Sequence, residues 1–545
     1  MKILSTVVAA SAVVVFTITS ARAAPEGNEA CQALLKVKVA DTKIESAELI
    51  PSGIPPADPP LPALALPVPA HCKVTGVISP SSESHIRFEV WLPASGWNGK
   101  YQGVGNPGFA GNLNVGEVAL AVQRGYASGT TDTGHGSEGT DIWAKNHPER
   151  IKDYGYRGLH LATVAAKELV AAFYGRKASR SYFAGCSNGG RQALIEAQRF
   201  PADYDGIIAG APPVDWIAAV VGSFGWDTQA MLNRPESTIP PKKNAAIAAA
   251  INAQCDKLDG VEDGVIRDPR LCAFDPKALR CAGQETDQCL TDGQIAALSA
   301  VYQGPHTKDD HRVNPGFSPG GETSTVPGSG WDGWIFATPA KSTPPMYFLR
   351  SFMRDMMGGG HTWDYQSLDI DRDLPRALAS YGQILSPTDP DLGLFFARGG
   401  KLILWHGWSD AALPPLRTVQ YYEDVRARTG TKADRSVRLF MVPGMQHCAF
   451  GPGSYMFNST AANSPPDPKT DMGAALEAWV DGGKPPDEIV AWRPADLMAA
   501  LSFAPNPTAE KTSLLCAYPA VAVWDGHGDV KQAASYSCKA ASIAN

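Results

Sequence analysis

The run Ser181-Tyr-Phe-Ala-Gly-Cys-Ser-Asn-Gly-Gly-Arg-Gln-Ala-Leu-Ile-Glu-Ala-Gln198 decides the fold class. Its opening residues read as the end of an apolar strand, and Arg191 to Gln198 are strong helix formers. Between them lies Gly185-Cys186-Ser187-Asn188-Gly189, a G-x-S-x-G motif. A chain passing from strand to helix so abruptly needs glycine where its backbone segments crowd, and the same turn lifts the serine oxygen clear of the sheet. Five such residues also recur by chance in ordinary Gly-rich turns. Their place between an apolar strand and a helix gives them weight. A second apolar strand, Gly206-Ile-Ile-Ala209, follows closely. Strand, tight turn, helix and strand in that order imply a parallel α/β sheet of the α/β-hydrolase type.

A serine hydroxyl becomes nucleophilic only beside a base, and the base needs a carboxylate to hold its tautomer. In this fold the chain order is serine, acid, histidine. The buried-strand run Leu402-Ile-Leu-Trp405 leads to His406-Gly-Trp-Ser-Asp410, and Leu439-Phe-Met-Val442 leads to Pro443-Gly-Met-Gln-His447. Asp410 and His447 therefore fall just beyond strand carboxyl ends, where sites in such sheets form. Each also has a plain structural role open to it, as a helix cap or a loop histidine bonded to backbone. His406 adjoins its strand and is expected to be structural. The oxyanion hole is expected from the Asn188 backbone N–H and a donor in Gly105-Asn106-Pro107-Gly108-Phe109. Pro107 has no N–H, which leaves Asn106 or, preferably, Gly108. Cys186 precedes the serine and Cys448 follows the histidine, so formation of the triad would bring these two together for oxidation.

Outward from this core, the 545 residues are 44% apolar and 19% charged, a composition that folds around a packed interior. The net charge of −7 argues against a nucleic-acid partner. Lys2, the apolar run Ile3 to Ile18 and Ala21-Arg22-Ala23 read as a signal peptide cut after Ala23. Cleavage also takes the net charge from −7 to −9, and no other stretch is apolar enough for a membrane span. Residues 24–212 are read as the first part of the hydrolase core, with a Pro-rich arm ending in Pro51 to Pro69. From 213 to 390 the α/β alternation fades, and this segment is read as an inserted lid. Residues 391–545 return to the core. Ten cysteines, all beyond Ala23, fit an oxidising compartment. Short loops favour Cys255 with Cys272, Cys281 with Cys289, and Cys516 with Cys538, while no C-x-x-C pair supports zinc.

With Cys186-Ser187, Asp410 and His447-Cys448 in place, the mature chain resembles the tannase and feruloyl esterase family along nearly its whole length. The resemblance implies a Cys186–Cys448 bond, the three pairs above and Cys31–Cys72. It also implies a substrate-binding lid and a structural calcium site in Cys255-Asp-Lys-Leu-Asp-Gly-Val-Glu-Asp-Gly-Val-Ile266. By that likeness the ligands are the side chains of Asp256, Asp259 and Asp263 and the carbonyls of Val261 and Val265. Hard oxygen donors at close spacing suit Ca²⁺, although the EF-hand spacing is absent and a solvated acidic turn is the bland alternative. No organic cofactor is implied. One departure stands out: family members often carry a glycine run where this chain has Asn106-Pro107.

The expected activity is hydrolysis of a small aromatic ester, feruloyl, galloyl or similar, through an acyl-enzyme on Ser187. Trp331, Trp334, Phe336, Tyr347, Phe348, Phe352 and Trp363 make the lid aromatic, with two or three of them expected to touch substrate. Arg350 and Arg354 are candidates to meet a carboxylate or phenol. The alternatives are a terephthalate monoester or aliphatic ester as substrate, an amide bond in place of the ester, or a catalytically silent binding module. A secreted or periplasmic protein without nucleic-acid or membrane partners is expected, and the oligomeric state is not legible.

Overall fold

The computed structural model describes residues 27–54, 67–323, 325–339, 341–457, 466–501 and 508–540. The leader at 1–23 and much of the Pro-rich arm, 55–66, lie outside the described residues. Nine strands form the main sheet: β1 (Thr42–Ile50), β2 (His71–Ile78), β3 (Ile86–Pro93), β4 (Lys100–Val104), β5 (Ala127–Thr131), β6 (Arg180–Cys186), β7 (Gly206–Gly210), β8 (Lys401–Gly407) and β9 (Val437–Val442). Their spatial order is β1-β2-β3-β5-β4-β6-β7-β8-β9. The first four in that order pair antiparallel. From β5 onward every pair is parallel, so β6, β8 and β9 end on the same edge. That common edge is what lets three distant residues meet.

The parallel strands are apolar on both faces, because helices cover both. Side chains alternate with the pleat. Phe183, Ile207, Leu402, Leu404 and Leu439 face one core, shared with Leu159, Leu169, Leu194 and Val425 of helices Gly158–Tyr174, Asn188–Arg199 and Pro415–Thr429. Tyr182, Ile208, Ile403, Trp405 and Phe440 face the other, against Met472, Leu476 and Trp479 of helix Met472–Gly482.

Between β7 and β8 the chain leaves the sheet and, among the described residues of 211–400, adds no strand to it. This inserted segment has its own interior around Ile247, Leu298, Trp331 and Phe336. A second cluster joins Trp216, Phe224, Leu349 and Phe352 to Phe109, Trp143 and Tyr154 of the core. The inserted segment is therefore seated on the same edge as the strand ends. Beyond β9 the described residues add no strand to the main sheet. They form two separate pairs, β10 (Glu488–Pro494) with β11 (Ala509–Cys516) and β12 (Ala520–Trp524) with β13 (Tyr536–Ala540). Their apolar side packs Leu514, Cys516 and Tyr536 against Val261 of the inserted segment.

All five disulfides form: Cys31–Cys72, Cys186–Cys448, Cys255–Cys272, Cys281–Cys289 and Cys516–Cys538. Among the described residues no helix is long and apolar enough to cross a membrane.

Candidate active site

Ser187 stands between β6 and helix Asn188–Arg199 with φ 61° and ψ −126°. A side chain at a left-handed φ costs about 1–3 kcal/mol and persists only where its surroundings impose it. Here they do. A Cβ on Gly185 would lie 2.7 Å from the Gly189 carbonyl, and one on Gly105 would lie 2.5 Å from Gly189 Cα. The turn is thus wedged between its own helix and the loop after β4, and only glycine fits at those crossings.

His447 Nε2 lies 2.9 Å from Ser187 Oγ, and His447 Nδ1 lies 2.8 Å from Asp410 Oδ2. The acid and histidine loops are clamped to each other by backbone bonds, Trp408 N–H to Val442 O and Ser409 N–H to Met445 O. The inserted segment adds a clasp. Ser409 Oγ donates to Gly320 O at 2.9 Å, and Gln446 Nε2 donates to Thr323 O at 2.6 Å. Asp410 is 1% exposed. Its Oδ1 accepts from the Ala412 and Leu413 N–H groups at 2.7 and 2.8 Å, and its Oδ2 from His447 and from His406 Nε2 at 3.1 Å. Burial alone pushes this carboxyl up, but the facing His447 and the bonds from both histidines outweigh it and hold it well below the usual carboxylate range.

Sequence reasoning assigned His406 to structure and gave Thr418 no role, yet His406 Nδ1 meets Thr418 Oγ1 at 2.8 Å. A buried histidine four residues before the acid is the signal that was available. Arg191 also went unnoticed. It is fully buried, has no carboxylate partner among the described residues, and donates to Asn188 Oδ1, Tyr154 O, Gly155 O and Leu385 O. It ties the serine's helix to the core and to the lid.

The loop after β4 discriminates between the two donors left open. Asn106 N–H is taken by Gln192 Oε1 at 2.9 Å, and its side chain bonds to Asn112 O, Thr131 O and Gln192 Nε2. Gly108 N–H has no partner among the described residues. Asn188, first in its helix, has no intrahelical acceptor for its N–H.

The lid aromatics divide. Trp331 and Phe336 are buried in the interior of the inserted segment and Phe352 in its junction with the core, and Trp363 packs on the Gly359 turn. Trp334 stands edge-on to His447 with ring centroids 5.3 Å apart. Phe348 contacts Phe109 at 5.1 Å and closes over Gly108, while Tyr347 reaches Phe109 at 6.2 Å. Arg350 pairs with Asp364 at 3.1 Å, and Arg354 Nε donates to Trp363 O at 2.8 Å. Each arginine thus has one partner within the inserted segment, and Arg350 Nε is buried without a hydrogen bond.

In the acidic segment, Asp256 caps the Asp263 and Gly264 N–H groups, Asp259 the Val261 N–H, and Asp263 the Val265 N–H. Arg267 reaches both Asp259 and Asp263, and Lys511 reaches Asp263. Two cations thus face three carboxylates. Asp259 Oδ2 is buried without a hydrogen bond. Burial pushes the Asp259 carboxyl up to about 6, Arg267 and the Val261 N–H oppose this, and the neighbouring Asp263 and Asp256 add to it. The three acids do not converge as tightly as His160, Glu196 and Asp203, the one trio of ligand atoms within 4.8 Å of one another among the described residues.

The family model described as tannase and feruloyl esterase matches residues 72–539. An uncharacterized esterase of Xanthomonas campestris pv. campestris is 40% identical over 542 residues, covering 93% of this chain and 91% of that one. Mono(2-hydroxyethyl) terephthalate hydrolase of Piscinibacter sakaiensis is 32% identical over 554 residues, covering 88% and 87%. The crystal structure of feruloyl esterase B from Aspergillus oryzae superposes with a TM-score of 0.81 at 27% identity, covering 94% of this chain and all of that one.

The Cys186–Cys448 bridge joins the residue before the serine to the residue after the histidine, with Cα atoms 5.9 Å apart. A displacement of about 1 Å between such groups costs on the order of 100-fold in rate. The double variant Cys186→Ala, Cys448→Ala is therefore expected to lose ester hydrolysis by about that factor when assayed well below its melting temperature. Full activity in the folded variant would leave the bridge a stabilising role alone.

Proposed function

The chain belongs to the tannase and feruloyl esterase family and is a carboxylic ester hydrolase with an α/β-hydrolase core, and on that premise we propose that it hydrolyses aromatic carboxylic esters through an acyl-enzyme on Ser187. The observation that carries this reading is the continuous hydrogen-bonded relay from Ser187 through His447 to Asp410. Ser187 Oγ attacks the ester carbonyl while His447 Nε2 takes its proton. Asp410, ionised and buried, holds His447 Nδ1–H and stabilises the imidazolium. The oxyanion of the tetrahedral intermediate meets the N–H groups of Asn188 and Gly108. Collapse breaks the bond to the alcohol, which leaves with the proton from His447. Water then attacks the acyl-serine with His447 as base, releasing the acid and restoring Ser187.

Aromatic acyl groups are supported by Trp334 beside His447 and by Phe109, Tyr347 and Phe348 around Gly108. They are also supported by the names of the relatives, a terephthalate monoester hydrolase and a feruloyl esterase. An intact relay speaks against a silent binding module.

Ser187→Ala is expected to fold normally and to lose about 10³-fold or more in kcat. Retention of near-normal activity would contradict the serine mechanism. Methyl ferulate, methyl gallate and terephthalate monoesters are expected to be better substrates than short aliphatic esters or matched amides. A preference for aliphatic esters would remove the aromatic reading.

The chain is further proposed to carry a structural Ca²⁺ on Asp256, Asp259, Asp263 and the carbonyls of Val261 and Val265. The three half-buried carboxylates facing two cations, with Asp259 Oδ2 held by the Arg267 ion pair and no hydrogen bond, support the donor set. The ion would neutralise the cluster beside the carboxyl-terminal hairpins. Chelation is expected to lower the melting temperature, with recovery on added calcium. Protein prepared without chelator and free of calcium by metal analysis would refute the site.

Export with cleavage after Ala23 completes the proposal, supported by the leader-like sequence and five disulfides. The exported protein is expected to begin at Ala24 on amino-terminal sequencing, and a retained leader would exclude cleavage.

A further inference from the structure

One carboxylate oxygen serves two imidazoles. Asp410 Oδ2 accepts from His447 Nδ1 at 2.8 Å and from His406 Nε2 at 3.1 Å. His406 and Thr418 are both 0% exposed, so neither exchanges its partner for solvent. An ionised carboxylate only accepts, which makes His406 Nε2 a donor; in the neutral ring Nδ1 is then the acceptor, filled by the Thr418 hydroxyl at 2.8 Å. The relay therefore runs through five groups: Thr418 O–H to His406, His406 N–H to Asp410, and Asp410 to His447 and Ser187. Its first two members come from β8 and from helix Pro415–Thr429, elements of the rigid core.

We propose that His406 is a positioning residue of the hydrolytic site, which fixes the Asp410 carboxylate and shares the charge of the oxygen that His447 uses. Two consequences follow, both resting on the serine mechanism above. Geometrically, Oδ1 is pinned by two backbone N–H groups and Oδ2 by His406, so the carboxylate plane cannot turn away when His447 moves. Electrostatically, an oxygen already engaged by one N–H holds a second, protonated ring less strongly. His406 thereby keeps the relay from trapping its proton as the solution becomes more acidic. The titratable groups acting on Asp410 are His447 and His406 themselves. Trp334, facing His447 from the lid, carries no charge, and Cys186–Cys448 is bonded.

The experiment is the pH dependence of kcat and KM for His406→Phe, His406→Gln and Thr418→Val against the parent, on the ester panel's best substrate. Replacement by Phe is expected to lower kcat about 10-fold with KM little changed, and to move the acid limb of kcat/KM up by about half to one pH unit. Gln, whose amide N–H mimics Nε2–H, is expected to return most of that shift. Thr418→Val, which frees the tautomer, is expected to give a smaller shift in the same direction.

A purely structural His406 would lower the melting temperature and leave the acid limb of the folded fraction in place. A folded His406→Phe protein with the parent's acid limb overturns the proposal, as does Gln behaving no better than Phe. If the Phe variant does not fold, an unmoved limb in Thr418→Val overturns it instead. Fluorophosphonate labelling of Ser187 in the parent separates the two readings: its absence would sink the serine mechanism, while its presence with unmoved limbs sinks only the role of His406.

Discussion

A single buried charge, the Asp410 carboxylate, organises the site. Taking an ion out of water costs several kcal/mol even after the protein relaxes, and only well-placed donors offset it. Asp410 has four, two from the backbone of its own turn and two from histidines on neighbouring elements. Loss of any one donor leaves a desolvated charge short of a partner, a deficit of about 1–3 kcal/mol. The end of β8 that carries His406 and the loops that carry Asp410 and His447 are thus held in register by the requirement that this charge be satisfied. The same requirement sets the tautomer of His447 and aims its Nε2 at Ser187.

The rest of the molecule supplies the frame in which that requirement can be met. Successive parallel pairing of β6 with β7, β7 with β8 and β8 with β9 brings three strand ends to one edge. Gly105 and Gly185 let the serine's turn approach the loop after β4, and Asn106 and Gln192 bond the two together. Above them the inserted segment is more than a cover. Its strap at Gly320 to Thr323 accepts hydrogen bonds from Ser409 and Gln446, the neighbours of Asp410 and His447. Leu385, near its far end, accepts from Arg191. The Cys186–Cys448 bond adds a covalent tie across 262 residues, worth on the order of 5 kcal/mol in the chain-entropy description.

Much of this was legible in the sequence because it rests on short-range patterns. A strand, a G-x-S-x-G turn and a helix leave local signatures, and so do the strand runs before Asp410 and His447. The two cysteines adjoining Ser187 and His447 marked their own partnership. What stayed hidden depends on side-chain direction and long-range register. His406 sits in a strand whose alternation admits either face, and only the packing of helix Pro415–Thr429 turns it to Asp410. Trp331 and Trp334 are three residues apart and alike in composition, yet one is lid core and the other meets His447. The choice between Asn106 and Gly108 turned on Gln192, which lies 86 residues from Asn106. The carboxyl-terminal strand pairs gave no signal that was read from the sequence beyond their place in the returning core. Nothing local tells which strand they pair with.

The direct measurement is rapid-quench mass spectrometry during turnover of a feruloyl ester, with the quenched protein digested and mapped. The account predicts a feruloyl adduct on the peptide containing Ser187, formed at the rate of the alcohol burst and lost at the rate of acid release. Turnover at full rate with no adduct on that peptide, or with the acyl group on another residue, would contradict it.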